Sequence, residues 1–303
     1  MRILPFLIVP VFSKKQLPSK MIGAYVNGCN DETNEYDEII KSIDDGLNTI
    51  FWFSCQLMCK DNKPTVQIKN IQKGEFSVLE NTPCIKKVQE NTPNDFIHML
   101  TIGSWGSSLP ICSTPEIWNS TFIDWLLKFE EDNGLHFDGI DWDPEGVDEP
   151  NEYNQNVMTQ EALNNILQIS RGVHDLDRLV SLVPAESYFD ARSSEFSYRL
   201  DIKPADDWQS WFTYTGRNAY TWLYKMEPEI FDMVIIQLYE GWARANYHVV
   251  LNERVTASEY IRETLQIFEN GHEIDFSVDS ATQEKTNTTG CVFCAWNGKF
   301  SRM

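Results

Sequence analysis

The chain has 303 residues, a length that one large α/β domain commonly fills. Hydrophobic residues make up 42% and charged residues 23%, a globular composition that excludes an intrinsically disordered chain. The formal net charge of −20 disfavours nucleic acid and anionic membrane surfaces as partners, because both repel an acidic protein.

The first residues have the pattern of a secretory signal peptide. One Arg precedes a run of about ten apolar residues, and Ser13 and two lysines follow it. The run is too short to span a bilayer. We therefore expect a signal peptide with a short lead-in over 1–18 and a secreted protein; the alternative is a buried first segment of the fold. Seven cysteines and the sequons at Asn119 and Asn287 are compatible with an oxidising compartment.

Short apolar runs alternate with helical patterns along the rest of the chain. Strands are predicted at 21–28, 47–54, 96–106, 135–142, 178–184, 231–242, 273–278 and 291–296, and helices at 34–46, 113–134, 158–173, 205–226 and 258–271. This alternation indicates a parallel sheet, and eight strand candidates favour a (β/α)8 TIM barrel. Because the polar connection 279–290 is too short for a crossover helix, we expect an irregular barrel, incomplete in its outer helices near the C-terminus.

The segment FDGIDWDPEG, residues 137–146, holds four carboxylates within eight positions. From Asp141 onward it fits the outline of a calcium loop, with acids at the first, third and fifth positions, Gly at the sixth and Glu152 at the twelfth. The flanks disagree, because Gly139 stands where the incoming helix would end and Pro150 where the outgoing helix would start. We therefore expect no metal and no other cofactor, with calcium as the weaker alternative.

Strand periodicity gives the carboxylates a catalytic interpretation. Side chains two apart share one face of a strand, so Asp141, Asp143 and Glu145 form a row. In a parallel barrel such a row can face the interior and end at the carboxyl rim, where barrel enzymes carry their chemistry. Like charges this close raise one another's pKa, so we expect a shared proton that keeps Glu145 partly protonated, as a general acid must be. Asp138 is out of phase with the row and is expected to fix the strand or the neighbouring loop.

The same segment resembles the D-x-x-D-x-D-x-E signature of glycoside hydrolase family 18, the chitinases and their relatives. Four further segments resemble motifs of that family in the expected order: MLTIGSWG at 99–106, LVPAES at 182–187, IIQLYEGW at 235–242 and CAWNG at 294–298. The resemblance implies a TIM barrel with one catalytic domain over 19–303. Three residues depart from the family pattern. Ser104 stands at the usual position of a glycine, and Glu240 follows Tyr239 where relatives have Asp or Asn. Pro144 replaces a larger apolar or aromatic residue and removes a backbone donor.

The resemblance also implies roles for individual residues. Glu145 is the acid that protonates the leaving oxygen, and Asp143 orients the substrate's N-acetyl group and exchanges a proton or hydrogen bond with Asp141. Tyr239 hydrogen-bonds the acetamido carbonyl, which itself attacks the anomeric carbon, so the implied mechanism is substrate-assisted and retaining. Trp296 is expected to form the apolar floor under the sugar. The implied substrate contacts are Trp296, Gln237, Glu186, Tyr25 and Asp138.

The function implied by the resemblance is endo-acting hydrolysis of β-1,4-linked N-acetylglucosamine polymers, namely chitin and chito-oligosaccharides. A chitinase-like lectin is one alternative, and it is disfavoured because Glu145 is intact. An endo-β-N-acetylglucosaminidase acting on N-glycans is another, and no residue excludes it. We expect a monomer whose partner is the carbohydrate, with neither nucleic acid nor membrane bound.

Overall fold

The computed structural model describes residues 14–30, 34–70, 75–147, 156–200, 217–239, 243–251, 253–286, 288 and 291–294. Their strands are β1 (Gly23–Val26), β2 (Thr49–Lys60), β3 (Lys63–Gln67), β4 (Lys69–Asn70), β5 (Glu75–Phe76), β6 (Ile97–Ser104), β7 (Gly139–Pro144), β8 (Leu179–Leu182), β9 (Glu195–Phe196), β10 (Met233–Val234), β11 (His272–Asp279) and β12 (Cys291–Cys294). Their α-helices are α1 (Glu35–Asp44), α2 (Thr82–Glu90), α3 (Pro115–Asn133), α4 (Gln160–Asp175), α5 (Ala219–Met226) and α6 (Ala257–Asn270).

Helix boundaries follow local sequence signals. Helix α3 begins with a proline, whose missing N–H has no helical partner to lose, and ends at Gly134, which adopts a left-handed conformation with φ 62°. Helix α6 begins with a capping box, in which Thr256 and Glu259 satisfy each other's backbone N–H groups. The helix predicted at 205–226 is described only from residue 217, where α5 occupies its last part.

Strands β1, β2, β6, β7, β8 and β10 form one parallel sheet in that order. Spatial order follows chain order, and a helix lies in each connection, as in a β/α barrel. The sheet is curled into a half-barrel, so the predicted α/β barrel-type fold is confirmed. Within the parts of the chain that the structure describes, β1 and β10 are its two ends and do not pair with each other.

Alternate residues of these strands enter two separate apolar clusters. The larger cluster includes Trp52, Leu100, Trp142 and Leu182 together with residues of the helices, so it lies between the sheet and its outer helical layer. The smaller cluster lies on the concave face: Phe51, Ile97, Met99, Leu179 and Met233. Its members come from neighbouring strands, with Phe51 paired to Met99. The polar residues that continue this second set along the strands therefore face the barrel interior.

The last two predicted strands form, but not in the barrel-type sheet. β11 pairs antiparallel with β12 and parallel with β9, giving a separate three-stranded sheet. Parallel neighbours need a crossover of a dozen or more residues, usually helical, whereas antiparallel neighbours need only a turn. Residues 280–290 are polar and carry no helix among those described, so the chain doubles back instead of crossing over. The prediction of two more parallel barrel strands here is wrong.

Two disulfides brace the loops around the sheet. Cys29 is joined to Cys84 and Cys59 to Cys112, the second bridge linking the end of β2 to the loop before α3. Cys55 is a free thiol in the core, and burial raises its pKa above the usual range. No helix among the described residues is long and apolar enough to cross a membrane.

Candidate active site

The carboxylate row of β7 lies on the concave face of the sheet. Asp141 is paired with Thr101 on one side and Ser181 on the other, and Asp143 is paired with Gly103. Asp141 is fully buried and Asp143 is 6% exposed, whereas Glu145, beyond the end of the strand, is half-buried. The row therefore runs from the interior towards the carboxyl rim.

Pro144 and Gly103 shape the end of this row. Pro144 is the last residue of β7, a position where its missing N–H interrupts no further ladder within the strand. The chain stays attached beyond it, because the Glu145 N–H donates to the Ser104 carbonyl at 3.3 Å. Gly103 has φ +101°, and a Cβ there would lie 2.7 Å from the Pro144 nitrogen and 2.8 Å from the Asp143 carbonyl oxygen. Only glycine permits this close approach, which places Asp143 and Glu145 at the rim.

Asp141 is held by hydroxyl groups from two other strands. The Tyr25 hydroxyl donates to Oδ2 at 2.9 Å, and the Ser181 hydroxyl donates to Oδ1. Burial raises the pKa of Asp141 to about 7, against the lowering effect of these two hydrogen bonds. Near neutral pH this carboxyl therefore exchanges between its neutral and charged forms.

Asp143 and Glu145 form a hydrogen-bonded pair bridged by an amide. Gln237 Nε2 donates to Asp143 Oδ1 at 2.9 Å, to Glu145 Oε1 at 2.8 Å and to the Val183 carbonyl at 2.9 Å. Burial raises the pKa of Asp143 well above its usual range, and so do the neighbouring charges of Glu145 and Asp141 and a hydrogen bond to Glu145. The raised pKa of Asp143 favours its protonated form beside Glu145, close to the carboxyl rim.

Two partly exposed tyrosines belong to the strands and loops around the row: Tyr25 of β1 and Tyr239, two residues after Gln237. Tyr25 stacks on Phe51 with ring centroids 4.6 Å apart, and the residue is 43% exposed while its hydroxyl reaches Asp141. Tyr239 is 57% exposed. Both residues therefore keep part of their surface open to solvent.

Asp138 is not brought to this site. It precedes β7 and so lies at the opposite end of the strand from Glu145. Its Oδ2 accepts from the His98 N–H at 2.8 Å and from Lys15 Nζ at 3.0 Å. Asp138 fixes the amino end of the strand and the first described residues of the chain.

Glu186 is buried away from solvent, and each of its carboxylate oxygens already accepts a hydrogen bond. The donors are the Tyr260 hydroxyl and, at 2.8 Å, the Ala245 N–H. Burial raises the pKa of Glu186, against the lowering effect of these bonds. Trp296 lies outside the described residues, as does residue 240 beside Tyr239.

Sequence reasoning missed Ser181 and Tyr220. Ser181 is the polar residue within the apolar run of β8, in register with Asp141, and that exception in the pattern was the available signal. The Tyr220 hydroxyl donates to the Pro144 carbonyl at 2.8 Å and so supports the end of β7 from α5. No local pattern marked Tyr220, because its partner is 76 residues away.

The described residues hold no group of three or more His, Cys, Asp or Glu side chains arranged to bind a metal ion. Asp141 is occupied by Tyr25 and Ser181, and Asp143 by Gln237 and Glu145. The second half of the calcium-loop pattern, residues 148–152, falls outside the described ranges.

No protein-family model matches the chain, and no curated protein sequence matches it. Solved chitinase structures are similar to it. A chitinase from Rhizomucor miehei is 14% identical over 73% of this chain and 57% of its own, with a TM-score of 0.38. A GH18 chitinase from Pseudoalteromonas aurantia is 13% identical over 79% of this chain and 73% of its own, with a TM-score of 0.40.

A third similar structure is a mutant of catalytic domain 2 of the Group II chitinase from Ostrinia furnacalis, in complex with penta-N-acetylchitooctaose. It is 12% identical over 91% of this chain and 70% of its own, with a TM-score of 0.42. This chain spans little more than half the length of the Rhizomucor miehei chitinase. All three TM-scores lie below 0.5. The chemistry of the site is therefore argued from its own residues.

Proposed function

We propose that the protein is a retaining glycoside hydrolase that cleaves β-1,4-linked N-acetylglucosamine chains internally. The observation that carries the proposal is the pair of carboxyl groups of Asp143 and Glu145, which the Gln237 amide bridges at the carboxyl rim of a parallel sheet. Cleavage of a glycosidic bond needs an acid at the leaving oxygen, and Glu145 is the half-buried member of the pair. Asp143 is less accessible and is suited to orienting a group rather than to protonating a leaving group.

In the proposed reaction, the substrate's own acetamido oxygen attacks the anomeric carbon while Glu145 gives its proton to the departing oxygen. Asp143 accepts a hydrogen bond from the acetamido N–H, and the Tyr239 hydroxyl donates to its carbonyl, so that the oxygen points at the reacting carbon. Glu145 then takes a proton from water as the water opens the cyclic intermediate with retention. Substrate assistance removes the need for a second catalytic carboxylate, which leaves Asp141 as a buried helper.

The setting of the domain is part of the proposal. We infer one catalytic domain over 19–303, secreted and monomeric, that binds carbohydrate and neither nucleic acid nor membrane. Two disulfides support an oxidising compartment, because such bonds persist there and are rare in the cytosol. The net charge of −20 supports an uncharged or cationic ligand.

One experiment separates this proposal from its alternatives. Wild type, Glu145→Gln and the exposed-site control Glu131→Gln are incubated with a fluorogenic chitotrioside, chitohexaose and a high-mannose glycopeptide. We expect wild type and Glu131→Gln to release products from both chitin-type substrates, and Glu145→Gln to lose at least about 100-fold in kcat. Mixed oligomer lengths from chitohexaose, with retained anomeric configuration by NMR, support internal retaining cleavage.

The other outcomes are equally definite. Release from the glycopeptide alone moves the substrate to N-glycans. Equal and negligible release by wild type and Glu145→Gln from all three substrates overturns the enzyme and leaves a sugar-binding protein, which isothermal titration with chitotriose then tests.

A further inference from the structure

Glu186 is buried at the end of β8 and is committed to protein partners. The Tyr260 hydroxyl of α6 donates to Oε1, and the Ala245 N–H donates to Oε2 at 2.8 Å. The residue is 2% exposed, and so is Tyr260. A side chain so enclosed presents no surface to a sugar, although the resemblance implied a substrate contact for it.

The backbone around Glu186 holds the strand end that carries Gln237. The Glu186 N–H donates to the Gln237 carbonyl at 3.2 Å, and the Gln237 N–H donates to the Pro184 carbonyl at 2.9 Å. Ala185 is paired with Gln237 in parallel register. Residues 184–186 therefore hold Gln237 by main chain, while the Glu186 side chain holds Ala245, eight residues further on.

Asp190 makes a second attachment to the same part of the chain. Its Oδ2 accepts from Arg244 Nη2 at 2.6 Å, and its Oδ1 accepts from the Arg192 N–H at 2.9 Å. The Arg192 guanidinium lies over the Tyr260 ring, 4.3 Å from its centroid. Two buried carboxylates, two arginines and one tyrosine thus form a single cluster beyond the end of β8.

We propose that Glu186 is a positioning residue: by holding Ala245 and Gln237 against the end of β8, it fixes the Gln237 amide between Asp143 and Glu145. This inference rests on the proposed function of that site. The Gln237 amide donates to both carboxyls, so its placement sets their mutual geometry. A misplacement of about 1 Å in such a group can cost about 100-fold in rate.

Displacement of Gln237 has a signature beyond lost activity. The hydrogen bond that the Gln237 side-chain amide donates lowers the pKa of Asp143, against the effects of burial and neighbouring charge. Without that donor the pKa of Asp143 rises further, and the pH dependence of kcat/KM moves to higher pH. A residue that only contributed to stability would lower the folded fraction and leave the profile in place.

The test compares Glu186→Ala, Glu186→Gln and Tyr260→Phe with a control, Glu269→Ala, an exposed carboxylate on the same helix as Tyr260. kcat, KM and the pH profile are measured with the fluorogenic chitotrioside, and amide hydrogen exchange is measured at Ala245 and Gln237 by NMR. Glutamine at 186 can accept from the Ala245 N–H with its oxygen and donate to the Tyr260 oxygen with its amide, so it serves as the conservative variant.

We expect Glu186→Ala to lower kcat about 10- to 100-fold with KM within about twofold, to move the profile to higher pH and to speed exchange at both amides. Glu186→Gln should restore most of the rate, and Tyr260→Phe should fall between the two.

A raised KM with unchanged kcat and pH profile would overturn the inference, since it identifies a substrate contact. If wild type is inactive, the proposed function fails and exchange alone decides: unchanged rates at Ala245 and Gln237 in Glu186→Ala then refute the positioning role. If Glu186→Ala does not fold, Tyr260→Phe with unaltered exchange and profile refutes it.

Discussion

Replacing Asp141 by asparagine tests whether the buried row carries the electrostatic cost that its environment implies. Asparagine has the shape of aspartate, and the Tyr25 and Ser181 hydroxyls can each donate or accept, so both contacts survive. What the substitution removes is the titration of a carboxyl that is 0% exposed. The pH dependence of the difference in unfolding free energy between variant and wild type therefore measures the contribution of the Asp141 proton to stability.

The magnitude follows from the rise of the Asp141 pKa from its ordinary value of 3.8 to about 7. Between these values the folded protein keeps a proton that the unfolded chain has lost, so wild-type stability falls as the pH rises. Integrated over the interval, the loss is about 4 kcal/mol, present in full only above about pH 7. The asparagine side chain of the variant has no such proton to lose, so the variant's relative stability grows by about 3–4 kcal/mol between about pH 4 and pH 8.

The assay is urea unfolding of wild type, Asp141→Asn and the exposed control Asp124→Asn, followed by tryptophan fluorescence at about pH 4, 6 and 8. Any constant offset from altered hydrogen bonds cancels when the values at different pH are compared. For Asp124→Asn we expect a difference within about 0.5 kcal/mol at each pH. A difference for Asp141→Asn that is the same at all three pH values would refute the reasoning, and one that falls with pH would reverse its sign.

Three further predictions follow from single features. Gly103→Ala should unfold at lower urea and lose at least about tenfold in kcat/KM, because φ +101° and the adjacent strand leave no room for a methyl group; normal activity would contradict this. Arg178→Met should lower the unfolding free energy by about 3–5 kcal/mol by leaving the buried carboxylate of Glu130 without its arginine partner, and the double variant with Glu130→Leu should recover part of the loss. Removing the Cys59–Cys112 bridge by Cys-to-Ser substitution should lower the unfolding free energy, measured by chemical denaturation, by about 2–5 kcal/mol. Peptide mapping of wild type should show the crosslink, and unchanged stability with free thiols would contradict the prediction.

The parallel sheet was predictable because its signals are local. Apolar runs and helical patterns repeat at short range, and a strand's period of two placed Asp141 and Asp143 on one face before any contact was known. Pro144 also obeyed a local rule, since a residue without a donor is tolerated at the last position of a strand.

What escaped sequence reasoning depends on partners distant in the chain. Glu186 and Asp138 have the same carboxyl groups as the row of β7, and only tertiary contacts with Tyr260, Ala245 and Lys15 distinguish them from it. The direction of β11 was equally hidden, because an apolar run has the same pattern in a parallel and an antiparallel sheet. Burial and charge type can be predicted from the sequence, whereas the partner of each buried group depends on the tertiary structure.

The hydrogen bond from Tyr25 to Asp141 spans the hollow of the sheet, joining the edge strand β1 to β7, three strands away. This hydrogen bond ties the edge strand to the middle of the sheet. A charged carboxylate is a stronger acceptor than a neutral carboxyl, so the strength of this hydrogen bond depends on whether Asp141 holds its proton. The protonation state of Asp141 therefore sets the strength of a contact that holds the edge strand β1 to the middle of the sheet.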